Sequence, residues 1–453
     1  MSRKGRRGLA SVAAMISYRP DLADRPVPRY TSYPTAAQFG PDVGAAEQAA
    51  AIDRIAPGTP VSLYLHIPYC RQICWYCGCN TGAVRGDATR DARLGEYVTA
   101  LEAEIATVAA RMQGRVTNIQ FGGGSPNSLT AAGLCGVIAE LKARFDVAPD
   151  AEIGVELDPR ALDAAYVAAL AAAGVNRLSF GVQTFAAHVQ ARINRHQPYE
   201  MIASAVAAAR ANGISGINFD LMYGLPLQTP ADLADTIAQA LTLQPDRVAV
   251  FGYAHMPAMM PRQRMIADAE LPDAEARFAM SALAHRLFTE AGYVAIGFDH
   301  FAKPDDPMAI AAANGTLKRN FQGYTTDPGE ATIGLGTTAI SQFDDLIIQN
   351  DKHVASWRET VLAGGLAGDR GVVRTADDRA RGLVIERLLC DGAVDVGEAY
   401  APSRAALAPY AADGLVALDG GAVRLLPEGR PYARLIAAAF DAHFAGLRHS
   451  KAV

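Results

Sequence analysis

Between residues 62 and 253 the chain repeats one unit: a short run rich in β-branched and aromatic residues, then an Ala/Leu-rich stretch at helical spacing. The strand candidates are SLYLHI (62–67), TNIQFG (117–122), EIGVEL (152–157), RLSFGV (177–182), GINFDLMYG (216–224) and RVAVFGY (247–253). Helix candidates between them include GEYVTALEAEIATVAARM and MIASAVAAARANG, the second ending on the Gly expected after a helix C-terminus. Six strands alternating with helices predict an α/β fold on a parallel sheet with right-handed crossovers. An open or closed β/α barrel meets that requirement, and a doubly wound sheet is the alternative. A barrel places its chemistry on the loops after the strands. A cysteine loop follows the first strand and GGGSP the second. Glu156 ends the third, Gln183 the fourth, Asp220 lies in the fifth and Ala254 closes the sixth.

The cysteine loop, CRQICWYCGC (70–79), holds four of the six cysteines in 453 residues. That is too sparse for a disulfide scaffold and too crowded for isolated structural thiols. Cys135 and Cys390 lie far off in apolar, helical surroundings and read as buried thiols. Thiolates this close together are ligands to a soft metal or a cluster. Structural zinc usually takes two knuckles well apart, which this chain lacks, and the usual ferredoxin spacings differ from C-x3-C-x2-C. Three thiolates on one loop suit three irons of a [4Fe–4S] cluster with the fourth left open. Trp75 and Tyr76 would shield such a cluster.

After the barrel come a helix, a strand-like YVAIGF, and the polar, aromatic segments DHFAKP and NFQGYTT. Residues 376–446 read as helix, helix, a hairpin with a DGG turn, and a final helix, an order like that of a winged helix. With seven Lys/Arg against ten Asp/Glu, that piece is acidic, which argues against a nucleic-acid partner. The net charge of −5 agrees. These segments divide the chain into a leader and covering segment (1–55), a β/α barrel (56–300), a barrel extension and connection (301–370) and a C-terminal helical domain (371–453). No apolar run approaches the roughly 18 residues of a membrane span. The leader MSRKGRRGLASVAAMISYRP is basic, then weakly apolar; a secretory signal is the alternative reading, against which its apolar core is short and rich in small residues. A basic leader, or a start at Met15, is the simpler reading, and a cytoplasmic protein is expected.

C-x3-C-x2-C just after the first strand of a β/α barrel resembles the signature of radical S-adenosylmethionine enzymes. YLHIPYCRQICWYCGCN, GGGSPNSL, EIGVELDPR, RLSFGVQTF, NFDLMYGLPLQT, VAVFGYAHMP, GFDHFAKPDD, RNFQGYTT and the leading RYTSYPTA together resemble the oxygen-independent coproporphyrinogen III oxidases. The C-G-C ending and NFQGYTT are the most specific. Departures are mild: Tyr69 and Tyr76 stand where Phe is common, and Ser125 where Thr is common.

The resemblance implies a partial (β/α)6 barrel with a smaller, mainly helical, winged-helix-like C-terminal domain. It also implies that Cys70, Cys74 and Cys77 ligate a [4Fe–4S] cluster whose open iron binds S-adenosylmethionine. Cys79 stays outside the ligand set and, with Tyr64, is expected to serve catalysis. Tyr64, Glu156, Arg195, Asp220, Ala254 and Ile340 fall on positions around the cluster-bound molecule, and Gly123, Gly124 and Ser125 on contacts to S-adenosylmethionine. Tyr76, Gly124, Ser125 and Gln183 match contacts to a second S-adenosylmethionine. The implied reaction converts two propionates of coproporphyrinogen III to vinyls, giving protoporphyrinogen IX, with electrons from a donor such as flavodoxin or ferredoxin and a monomeric protein.

Blander readings stand beside these. A GGG after a strand is commonly a turn, and Ala254 and Ile340 alone would be core residues. His66 reads as a hydrogen-bonded core histidine rather than a ligand, while His255 and His300 are better pocket candidates. Arg29, Lys303 and Arg319 are candidate anchors for substrate carboxylates. The chief rival is a heme chaperone on the same scaffold, but those typically lack the fourth cysteine and carry a His-Asn…Tyr-Trp segment not found here. Another radical methylating or heme-opening enzyme is the third option.

Overall fold

Six strands run parallel in sequence order: β1 (Pro60–Ile67), β2 (Arg115–Gly123), β3 (Asp146–Leu157), β4 (Arg177–Gln183), β5 (Gly216–Tyr223) and β6 (Arg247–Gly252). The computed structural model describes residues 17–84, 87–397 and 400–444, so the basic leader and the candidate start at Met15 lie outside the described residues. Unreversed strand order excludes the doubly wound alternative, which requires a switch point within the sheet.

Side-chain alternation sets the two faces. On β1, Val61, Leu63, Leu65 and Ile67 are at most 1% exposed and face the helices. Ser62, Tyr64 and His66 point the other way, into the lumen. On β5, Ile217, Phe219 and Leu221 are fully buried, while Asn218 and Asp220 line the lumen. The apolar core is therefore the layer between sheet and helices, where each such side chain contributes about 1.5–3 kcal/mol. The lumen is polar and holds a cavity rather than stacked aliphatic layers.

The helices α1 (Asp87–Ala109), α2 (Ala131–Arg144), α3 (Ala164–Ala172), α4 (Tyr199–Ala211) and α5 (Pro230–Thr242) cover the outer face, and α6 (Ala274–Glu290) follows β6. Helix α5 shows why these segments start where they do. Thr229 caps it in a reciprocal box with Asp232, Pro230 opens it, and Leu233, Ile237 and Ala240 turn inward.

Beyond β6 the sheet continues with β7 (Val294–Ile296) and β8 (His300–Ala302), both antiparallel. A hairpin of Lys318–Asn320 and Gly323–Thr325 carries the NFQGYTT segment. The chain then returns to the other edge. Strand β9 (Ala331–Leu335) pairs parallel with β1, and β10 (Ile340–Gln342), β11 (Leu346–Asn350) and β12 (Gly368–Val373) extend from it as an antiparallel meander. The full order is β12-β11-β10-β9-β1-β2-β3-β4-β5-β6-β8-β7, an open barrel whose edges do not join. The seventh parallel strand, β9, was not anticipated from sequence.

The buried carboxylate of Glu104 on α1 ties this return to the barrel. It accepts from Gly336 N (2.6 Å), Asn350 Nδ2 (2.7 Å) and Trp357 Nε1 (3.3 Å). Beside it, Tyr97 donates to His66 O at 2.6 Å.

The C-terminal unit opens with α7 (Ala376–Asp391) and includes the expected hairpin, Val416–Asp419 with Ala422–Leu425, joined by a third strand, Ala393–Asp395. Leu388, Leu407, Val423, Ile436 and Phe440 form its fully buried core. Val27, Tyr30 and Tyr33 of the N-terminal segment pack into that same core.

Candidate active site

The cysteine loop is pinned at both ends, because Tyr69–Cys70 pairs with Gly82–Ala83 just past the end of β1. Within it, Cys77 N donates to Cys74 O at 3.3 Å, and Trp75 N to Ile193 O at 3.1 Å. Cys70 and Cys74 are buried and Cys77 half-buried, while Cys79 is exposed toward the cavity it lines. Arg160 and Arg195 each donate to Cys74 Sγ at 3.3 Å, and Cys70 Sγ lies 3.2 Å from Thr81 Oγ1. Cys79 N donates to Cys77 Sγ at 3.3 Å. A hydrogen bond from the Cys79 thiol, aided by Arg262 and Arg195, pulls Cys77 down to about 6. Burial pushes Cys70 up to about 11.

Among the described residues no three His, Cys, Asp or Glu side chains converge as they would on one metal ion. A cluster, with its irons at separate corners, needs thiols spread around it instead. Cys70, Cys74 and Cys77 line one pocket, with arginine N–H groups directed at Cys74 sulfur, and this donor set fits a [4Fe–4S] cluster.

The three glycines at the end of β2, Gly122 to Gly124, are required by crowding. A Cβ on Gly122 would lie 2.9 Å from Glu156 Oε1, and one on Gly124 would lie 2.7 Å from Tyr69 O. Gly123 has φ +107°, and a Cβ there would lie 2.7 Å from the His66 ring. The space a side chain would take is thus filled by the barrel's own groups, while the backbone of Gly123 and Gly124 still faces the pocket. Ser125 donates to Asn127 Oδ1 at 2.6 Å. Asn127, fully buried, accepts from Asp158 N and donates to Asp158 O, locking this loop to the end of β3.

Glu156 and Asp220 face each other in the lumen. Burial and the neighbouring Asp220 push Glu156 up to about 8. Burial likewise raises Asp220, against hydrogen bonds from Ser179 and Asn218. Arg195, 6% exposed, donates to Gly181 O through Nε and Nη2. Gln183 ends β4 at φ +63°, next to a register irregularity. A left-handed conformation costs a non-glycine residue about 1–2 kcal/mol, and such strain gathers at functional sites.

Two joined cavities hold these residues. A mouth of about 460 Å³ is lined by the cysteines, Tyr76, Gly124, Ser125, Gln183, Arg195 and Ala254. A lumen of about 670 Å³ holds Tyr64 and Ile340. Cys79, Gly123, Glu156 and Asp220 line both, so the expected site residues meet around one continuous space.

The other candidates separate. His66 is a bonded barrel histidine, with Nδ1 3.2 Å from Tyr64 Oη and Nε2 3.2 Å from Asn80 O. His300 lines the lumen and bonds Asp299 at 2.6 Å. His255 contacts Tyr253 and Asp268 beside the mouth. Arg29 lines the mouth. Lys303 does not reach the site: it follows β8, level with the N-terminal end of β6, and pairs with Asp246 at 2.9 Å. Arg319 donates to Arg29 O and Tyr30 O, so it holds the RYTSYPTA segment rather than facing the mouth.

Sequence reasoning missed Arg160, Asn127, Thr81 and Arg262, the last of which donates to Thr81 O at 3.0 Å. The ELDPR string contained Arg160, but nothing local shows that it turns back onto a cysteine 86 residues earlier.

The Radical SAM superfamily model matches residues 64–240. An oxygen-independent coproporphyrinogen III oxidase of Bradyrhizobium diazoefficiens is 44% identical, over 96% of this chain and 100% of its own length. That of Escherichia coli K12 is 40% identical, over 92% and 93%. The solved structure of the coproporphyrinogen III oxidase from Escherichia coli, described as a radical SAM enzyme, superposes with a TM-score of 0.87 at 38% identity, covering 92% of this chain and 98% of that one. The chain therefore belongs to the oxygen-independent coproporphyrinogen III oxidases of the radical SAM superfamily.

Proposed function

We propose that this protein oxidatively decarboxylates two propionates of coproporphyrinogen III to vinyl groups without oxygen, giving protoporphyrinogen IX. The observation that carries the reading is the continuous cavity leading from Cys70, Cys74 and Cys77 to a polar barrel lumen. Cys70, Cys74 and Cys77 would hold the [4Fe–4S] cluster. Bound together, cluster and S-adenosylmethionine supply one-electron, hydrogen-abstracting chemistry that no side chain can provide.

The chain contributes binding, orientation and exclusion of water. Glu156 is positioned to accept hydrogen bonds from hydroxyls of a bound nucleoside, and Arg195 to hold an anionic or carbonyl group. Tyr64 and Cys79 face the space where a propionate carbon would sit, and Gly123, Asp220, Ala254 and Ile340 shape its walls. Tyr76, Gly124, Ser125 and Gln183 line the mouth and support a second S-adenosylmethionine there, the strained Gln183 backbone being the feature in favour. The reducing electron comes from a flavodoxin- or ferredoxin-type donor, and the protein acts as a cytoplasmic monomer. Among the described residues no helix is long and apolar enough to cross a membrane.

The test is anaerobic incubation of the cluster-loaded, reduced protein with S-adenosylmethionine and coproporphyrinogen III. Divinyl product is expected. Heme binding without product would favour the chaperone reading.

A further inference from the structure

Beside the mouth, between the end of β6, α6 and the C-terminal domain, lies a cleft of about 420 Å³ into which Arg29, Arg277 and Arg434 converge. Only two carboxylates line it among the described residues, and each has a hydrogen-bond partner outside the arginine group, although Asp299 also attracts Arg29 and Arg434 across the cleft. Asp273 caps α6 through Ala276 N at 2.8 Å, and Asp299 bonds His300 at 2.6 Å. Neither pairs with Arg29 or Arg277 among the described residues. Arg277 donates Nη1 to Tyr253 O at 2.6 Å, yet its buried Nε has no hydrogen-bond partner among the described residues. Arg434, 9% exposed, lies 5.5 Å from the centre of the Phe298 ring. Burial, Arg29 and Arg319 push its guanidinium down to about 10, and burial together with Arg29 pushes Arg277 in the same direction. Among the described residues the lining thus holds three guanidinium groups against two carboxylates, a local positive excess in a half-buried cleft of a chain with net charge −5, and such an excess favours an anionic ligand.

We propose that this cleft binds propionate carboxylates of the substrate that are not reacting, so that the reacting propionate is directed into the mouth. The inference rests on the function proposed above and adds the C-terminal domain, through Arg434, to the substrate site. Guanidinium forks match carboxylates in a way that few other side chains can. The cleft and the mouth share Arg29, Tyr253 and Ala254, so one macrocycle can span both. Arg319 holds the Arg29 backbone from behind, which keeps that arginine over the cleft.

The test compares Arg29→Gln, Arg277→Gln and Arg434→Gln with wild type in anaerobic, cluster-loaded protein. Two quantities are measured: KM for coproporphyrinogen III, and the Kd of coproporphyrin III, its stable tetracarboxylate relative. Each substitution is expected to raise both about tenfold or more, as loss of a charge-assisted hydrogen bond does. S-adenosylmethionine binding should not change in Arg277→Gln or Arg434→Gln, which lie outside the mouth, and Arg277→Lys should recover part of the loss. Arg29 is exposed, so its variant tests the cleft without risk to folding. Wild-type KM and Kd in Arg29→Gln and Arg277→Gln would overturn the inference. So would a coproporphyrin tetramethyl ester that binds as tightly as the acid while vinyl formation continues. Failure of the wild-type protein to form vinyl product is a separate outcome that overturns the proposed function and this inference with it.

Discussion

Two guanidinium groups directed at one sulfur, Cys74, make the three cysteines unequal. Cys70, Cys74 and Cys77 are each expected to be indispensable, so that any single change to Ser leaves anaerobically reconstituted protein with little iron. Near wild-type iron in any of the three would contradict the assignment. Cys79 is separated from Cys77 only by Gly78 and faces the cavity, so Cys79→Ser should retain its iron while losing much of its activity. Arg160→Gln removes one donor to Cys74 sulfur. It should lower the cluster's reduction potential with iron content unchanged, because hydrogen bonds to ligating sulfur stabilise the reduced, more negative state. A redox titration followed by electron paramagnetic resonance checks this, and an unshifted midpoint would rule it out. At Gln183 the readout is stoichiometry: two equivalents of S-adenosylmethionine bound by wild type and one by Gln183→Ala, whereas a single equivalent in wild type removes the second site. That the cysteines gather on one loop could be read from spacing alone. Arg160 and Asn127 could not, since their partners lie 86 and 31 residues away in sequence.

Among elements, the segment RYTSYPTA is the one whose role depends most on its neighbours. Arg319 holds its backbone at Arg29 and Tyr30, Tyr30 donates to Asp441 at 3.0 Å, and Tyr33 Oη accepts from Ala442 N at 2.8 Å. It therefore bridges barrel and C-terminal domain at the rim of the mouth. Deleting residues 1–35 should spare the cluster and S-adenosylmethionine cleavage while vinyl formation falls. It should also loosen the C-terminal core, to which Val27, Tyr30 and Tyr33 belong. Arg319→Gln is the gentler version, expected to lower turnover and raise proteolytic cleavage within residues 28–36 with iron unchanged. Turnover at the wild-type level in both variants would show that the segment is only a tether. Strands β1 to β6 were legible because each carries its own alternating pattern and turn signals. Strand β9 was not, because being parallel to β1 is a matter of sheet-edge pairing across about 270 residues, which no local pattern encodes.

At the scale of the molecule, Glu104 couples α1, the β9–β10 loop and the segment around Trp357. Burial raises it from its ordinary 4.5 to about 7, against hydrogen bonds from Gly336, Trp357 and Asn350. The fold thus favours the protonated form. That contribution to stability is full below about pH 4.5 and is lost as pH rises through about 7. The span corresponds to about 3 kcal/mol. Thermal unfolding between pH 5 and 8 should show stability falling with pH in wild type and a flatter profile in Glu104→Gln. Identical slopes in the two proteins would exclude Glu104 as the source.

The sequence by itself determined the strand–helix repeat, the cysteine spacing and the family resemblance, because periodicity, turn chemistry and a ten-residue loop are local properties of the chain. Tertiary structure alone decided that the barrel stays open, that Lys303 sits at its far end and that Arg319 holds a backbone rather than the mouth. It also decided that Arg29, Arg277 and Arg434 share one cleft. Those outcomes depend on which distant segments meet, and a charge declares its role only when its neighbours are fixed in space.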